Sequence, residues 1–122
     1  MSNVEPPKVD GVVIDCPSPT TARLKGTIAG KEAIARLGPY FRSLHTEAVA
    51  RGAEEFCVDL ADVTFANAAA IRLFIDWAVW AKGEKQRLYI LRFRVSRNIV
   101  WQKTAFTALK TLMPDTVVLE NV

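Results

Sequence analysis

The chain has 122 residues, half of them apolar, and a net charge of +3. That is enough for one domain with a real core, and the charge bias is too weak to imply a nucleic-acid partner by itself. No run reaches the roughly 18 apolar residues of a membrane span, and Met1 to Asp10 lacks the apolar stretch of a signal peptide, so cytoplasmic residence without a membrane partner is expected.

Residues 1–10 are polar, contain Pro6-Pro7 and read as a flexible tail; residues 11–122 read as the domain. Gly11 to Asp15 is a short apolar strand, followed by a turn at Pro17-Ser18-Pro19. Thr20 to Ala29 alternates, with Ala22, Leu24, Gly26 and Ile28 on one side and Thr21, Arg23, Lys25 and Thr27 on the other. This is a strand with one wet face, expected in a hairpin with the first. Lys31 to Leu37 predicts a helical turn broken by Gly38-Pro39, with Pro39 opening a helix that runs to Gly52. Glu54 to Asp59, apolar on both faces, reads as a buried parallel strand.

A polar turn then leads to a helix capped by Asn67 and running from Ala68 to near Gly83. Arg87 to Val95 is the next strand, and Ser96 is expected to cap a helix to about Leu112, with Val100, Phe106, Leu109 and Met113 inward and Pro114 as the stop. Thr116 to Glu120 completes the chain. Strand–helix alternation predicts an α/β fold: one mostly parallel sheet of four to five strands with three to four helices.

Motifs for chemistry are scarce. Cys16 and Cys57 lie in unrelated segments without metal spacing and read as small core fillers. His45, the one histidine, sits mid-helix with no signalled nucleophile or carboxylate and reads as structural. Asp59 and Asp62 flank the turn where open parallel sheets place their sites, but no phosphate-binding glycine loop accompanies them. No catalytic residue, metal ligand or cofactor is therefore assigned, and the chain is read as a non-enzyme. Lys85 to Lys103 interleaves basic and aromatic residues, but Tyr89, Phe93 and Trp101 fall at buried-face spacing, so a nucleic-acid surface is not expected. Arg92 and Arg94 lie toward the C-terminal end of their strand, the sheet end that carries the Asp59–Ala68 turn, and are expected to bring positive charge beside the helix start.

The helix from Ala68 opens on Ala68, Ala69 and Ala70, small residues that leave the first-turn amides accessible to an anion or to another protein. Ile71, Phe74, Trp77, Ala78 and Ala81 form its inner face. Arg72 and Asp76 sit outside at i, i+4 spacing, and Leu73 and Trp80 fall beside them as candidate interface anchors unless the first helix or the tail covers them.

These residues resemble the STAS domain family, the fold of bacterial anti-anti-sigma factors (anti-sigma factor antagonists). The family motif is a strand ending in Asp-Leu, then a few residues, then Phe-x-Asp-Ser-Ser/Thr-Gly-Leu opening a helix. Here Asp59-Leu60 ends the strand, Phe65 holds the aromatic position and Asn67 stands for the Asp. Ala68 stands at the serine that a partner kinase phosphorylates, Ala69 and Ala70 at Ser/Thr and Gly, and Ile71 at the Leu. Order and lengths agree from about residue 11 to 121.

The resemblance implies a GHKL-type serine kinase that doubles as an anti-sigma factor, and a PP2C-type phosphatase, as partners. Contacts are expected through Thr64, Phe65, Asn67, Ala69, Ala70, Arg72, Leu73, Asp76, Trp80, Arg92 and Arg94. Ala68 cannot carry the phosphate that ejects the partner, so the surface would stay in its binding-competent form. Whether that alanine is native or replaces a serine is left open, as is a homodimer. The family also serves as accessory subunits of lipid-transport ATPases and tails of anion transporters, the alternative role implied; the basic pI and the capped helix start leave a small-ligand-binding module open beside it.

Overall fold

Two hydrophobic periods organise the chain, a period of two in the strands and a stripe at i, i+3, i+4 in the helices. In the computed structural model, which describes residues 4–122, they give β1 (Val12–Ser18), β2 (Thr21–Ile28), α1 (Lys31–Ala50), β3 (Glu55–Ala66), α2 (Ala68–Lys82), β4 (Ile90–Val95), α3 (Val100–Leu112) and β5 (Val117–Asn121). The five strands lie in sequence order; β1 is antiparallel to β2, and the remaining neighbours are parallel. Each crossover adds its strand on the same side of the last. With right-handed connections, such a progression puts every helix on one face of the sheet.

The core sits on that face. Phe41 of α1 stacks on Trp77 of α2 at 4.9 Å between ring centroids, and Trp77 meets Phe56 of β3 at 5.3 Å. Phe74 of α2 and Phe106 of α3 both lie against Phe93 of β4, at 6.1 and 4.7 Å. The opposite face is open and ionic, carrying Arg23 on Asp15, Arg92 on Glu55, and Arg94 between Asp59 and Glu120. This is the α/β class expected from sequence, within the expected strand and helix numbers, and it is consistent with a single STAS-like domain.

Three local expectations are corrected. Gly38-Pro39 does not divide the first helix: α1 runs unbroken from Lys31 to Ala50 with Pro39 inside it. Ala33, Leu37, Tyr40, Phe41, Leu44, His45 and Ala48 are all buried along one stripe, and packing of that stripe outweighs the one hydrogen bond proline forfeits. Next, β3 does not end at Asp59 but continues to Ala66, paired with β2 through two register shifts. Finally, α3 starts at Val100 rather than just after Ser96, and Val100 points outward at 79% exposure. Ser96 instead holds the preceding turn, its Oγ accepting from the Asn98 amide.

At the N-terminus, Val9 forms a bridge to Val12, and Val4 and Val9 pack against the core. Residues 1–3 of the expected tail lie outside the described residues.

Candidate functional site

The strand-to-helix turn after β3 is built from three hydrogen bonds. The Asn67 amide donates to the Ile28 carbonyl at 3.1 Å, tying the end of β3 to the end of β2. Asn67 Oδ1 accepts from the Ala70 amide at 2.9 Å, the N-cap expected from sequence. The Asn67 carbonyl then accepts from the Ile71 amide, closing the first turn. Ala68 and Ala69 are exposed, and no acceptor among the described residues takes their amides. Ala70 is fully buried and its amide is spent on Asn67, so it offers no surface, contrary to its place among the expected contacts.

A shallow cavity of about 400 Å³ lies between the starts of α1 and α2, lined by Gly30, Lys31, Ile34, Ala35, Asn67 and Ala69. On the other side of the turn stands α3. Trp101 Nε1 donates to the Thr64 carbonyl at 3.0 Å, and Thr64 Oγ1 donates to the Gly26 carbonyl. Phe65 is 52% exposed beside this contact, and with Val100 and half-buried Trp101 it forms an apolar flank. Sequence reasoning put Val100 and Trp101 in the interior. Only the late start of α3, set by Ser96 and Gln102, brings them to the turn.

The helix positions further along α2 separate from this site. Arg72 and Asp76 face outward as an ion pair at 3.4 Å. Leu73 is half-buried against α1, where a methyl on Gly38 would meet Leu73 Cδ2 at 3.5 Å, an ordinary packing distance. Trp80 lies twelve residues from Ala68, about 18 Å along the helix. It packs on α1, with the Arg42 guanidinium 4.8 Å above its ring and His45 at 5.8 Å. The first helix thus takes a share of both anchors.

Arg92 and Arg94 do not bring free charge to the helix start. Both project from the open face of the sheet, opposite the helices. A hydrogen bond to Glu55 raises the pKa of Arg92, and hydrogen bonds first to Asp59 and then to Glu120 raise that of Arg94. Asp59 is buried; its Oδ2 takes Arg94 and its Oδ1 accepts from the Ala61 amide at 3.1 Å. Asp59 thus sits where β3 parts from β4, beside the register shift in the β2–β3 pairing between Arg23 and Lys25. In the basic segment, Tyr89 and Phe93 are buried and Arg87 donates to the Asp115 carbonyl.

His45 is buried at 6% exposure, its Nδ1 2.8 Å from the Tyr89 hydroxyl, which also receives Trp77 Nε1 at 2.8 Å. Both cysteines are free and half-buried, and burial pushes the Cys57 thiol up. Among the described residues no group of three or more His, Cys, Asp or Glu side chains could hold a metal, and no helix is long and apolar enough to cross a membrane. No family model, no curated protein and no solved structure matches the chain.

Proposed function

We propose that this chain is a non-enzymatic regulator of the anti-sigma factor antagonist type, docking a GHKL-type serine kinase/anti-sigma factor or a PP2C-type phosphatase at the start of α2. The observation that carries the reading is the uncovered first turn: Ala68 and Ala69 stand exposed with free amides, beside the half-exposed ring of Phe65. Helix-start amides carry partial positive charge, and an exposed aromatic next to them supplies the apolar contact that protein interfaces concentrate at their centre. The resemblance in motif order, with Ala68 at the phosphorylated position, supports the choice of partner class.

The contact surface on this reading is the turn from Thr64 to Ala69 with Phe65, Val100 and Trp101 at its side, extended by Arg72 and Asp76. Titration calorimetry with a GHKL-type serine kinase/anti-sigma factor tests it. Binding is expected, and Ala69→Glu should weaken it at least about tenfold by setting a carboxylate in the contact. Ala68→Ser should become a substrate of the cognate kinase, detected as added phosphate by mass spectrometry. Absence of binding, or binding indifferent to Ala69→Glu, rejects the reading.

A further inference from the structure

At the far end of α2 from the open turn, a cavity of about 410 Å³ lies between α1, α2 and the segment before β4. Its apolar wall is Trp80, Val79 and Leu88; its polar members include His45, Arg42 and Lys85. The volume is within the range of small-molecule sites. What distinguishes it is a buried hydrogen-bond relay with only one sensible direction.

Trp77 Nε1 can only donate, and it donates to the Tyr89 oxygen. The Tyr89 hydroxyl has one proton of its own, and His45 Nδ1 is the remaining partner of that oxygen. Burial raises the pKa of Tyr89, so the proton stays on. The proton therefore goes to His45 Nδ1, which must be the acceptor; a neutral imidazole accepting at Nδ1 carries its hydrogen on Nε2. His45 Nε2 has no partner among the described residues, and it is not sealed from solvent, since every fully enclosed side-chain nitrogen and oxygen there has a partner. With His45 only 6% exposed and lining this cavity, its open N–H is assigned to the cavity side. The relay holds an N–H donor in place at a site with an indole on one wall and a guanidinium stacked on that indole.

The geometry points to a binding site for a small carboxylate with an apolar body, its carboxylate oxygens taken by His45 Nε2–H and the Arg42 guanidinium and its body laid against Trp80, Val79 and Leu88. Charge favours this class. Arg42 and Lys85 are cations, Glu84 is the single acid on the rim, and His45 is neutral. The C-terminal end of α2 opposes an anion only weakly, and its last carbonyls are occupied by the Gly83 and Leu88 amides. A phosphate would find the charge but no use for the apolar wall.

Benzoate is the probe, with benzyl alcohol as its uncharged counterpart, on the full chain by two-dimensional amide and indole NMR. Saturable shifts centred on the Trp80 indole, Arg42 and His45 are expected, with an apparent Kd in the millimolar range and benzyl alcohol at least about tenfold weaker. Arg42 is exposed, so Arg42→Gln should leave the fold's spectrum intact and weaken benzoate about tenfold. The assignment is overturned by no saturation at about 20 mM, by equal binding of benzyl alcohol, by Arg42→Gln binding as the parent does, or by shifts centred on Ala68 and Ala69 instead. Apart from the last, none of these outcomes bears on partner docking at the α2 start.

Discussion

Gln102 Nε2 lies 2.7 Å from the Leu60 carbonyl and also 2.7 Å from that of Val63. Its Oε1 accepts from the Ser96 amide at 2.8 Å, so the surrounding donors and acceptors fix which way the amide points. This fully buried side chain closes the edge of β3 just where β4 stops pairing with it after Asp59. Without it two carbonyls and an amide lose their partner together. Gln102→Leu should therefore cost about 2–4 kcal/mol, read as a lower urea midpoint with an unchanged slope. Gln102→Glu should cost more, because a carboxylate would face two carbonyl oxygens. A change below about 0.5 kcal/mol for either variant would show that water takes over the role.

Tyr89→Phe removes the oxygen that joins Trp77 to His45 and leaves a buried indole N–H with no acceptor. The ring itself stays, so the loss should be that of one stranded donor, about 1–3 kcal/mol. Trp77→Phe in the same background removes that donor. The double variant should then lose less than the sum of the single ones, measured as a double-mutant cycle by chemical denaturation. Strict additivity would mean that the two groups do not share a hydrogen bond in solution.

Gly26 sits in β2 at φ +112°, and a methyl there would collide with the Gly11 carbonyl oxygen. That carbonyl also accepts from the Thr27 amide at 2.9 Å, so the two backbones cannot simply part. Gly52 also has positive φ, at +65°, but nothing lies within 4 Å of its missing side chain. Gly52→Ala should cost only the left-handed backbone term, about 1–2 kcal/mol, whereas Gly26→Ala adds a steric clash to it and should exceed this clearly in thermal or urea melts. Equal losses would mean the strand end moves freely away from residue 11.

Asn67 offers a test of the cap. Asn67→Ala frees the Ala70 amide and should cost about 1 kcal/mol of stability. Asn67→Asp keeps an acceptor and places a negative charge at the helix start, worth about 0.3–1 kcal/mol in favour of the fold. Urea midpoints that order the proteins Asp, Asn, Ala from most to least stable support this account; a destabilised Asp variant contradicts it.

Much of this fold is legible in the sequence because its strands and helices carry clean periods. Ala22, Leu24 and Ile28 announced the inner face of β2, and Phe74, Trp77, Ala78 and Ala81 that of α2, with Asn67 visible as its cap. The misreadings lie where tertiary contacts override local chemistry. Pro39 normally opens or breaks a helix, and only the buried stripe on both sides of it keeps α1 whole. The extension of β3 past Asp59 rests on pairing with β2 and, at its other edge, on Gln102, forty-odd residues from Leu60, whose amide has no periodic signature. The candidate site was half legible. Asn67, Ala68 and Ala69 stand where the motif put them, but Trp80 belongs to a different part of α2, and Arg92 and Arg94 face the other side of the sheet. Charge alone could not tell that each arginine already has a carboxylate partner. The relay from Trp77 to His45 joins α2, the segment before β4 and α1, and had no sequence signal beyond the rarity of histidine.

His45 sets a pH dependence whose sign follows from its surroundings. Burial, then the charge of Arg42, lowers its pKa from the ordinary 6.5. The groups around it are Arg42 on its own helix, Trp77 and Trp80 on α2, Tyr89 at the foot of β4, and Glu84 and Lys85 on the intervening segment. Protonation would also turn Nδ1 from acceptor to donor and break the relay with Tyr89. The unfolded chain therefore takes up the proton at higher pH than the folded one, and stability rises with pH between the two values. The His45 contribution should be complete above about pH 6.5, fall as the pH drops through the window below it, and level off beneath the folded pKa. Carboxylates titrate lower down, so the reading is a difference: unfolding free energies of the parent minus those of His45→Gln, from about pH 7.5 to 5.5. That difference should shrink steadily as the pH falls. A flat difference, or one that grows toward acid, would mean that His45 accepts its proton in the folded chain as easily as in the unfolded one, and the direction assigned to the relay would be wrong.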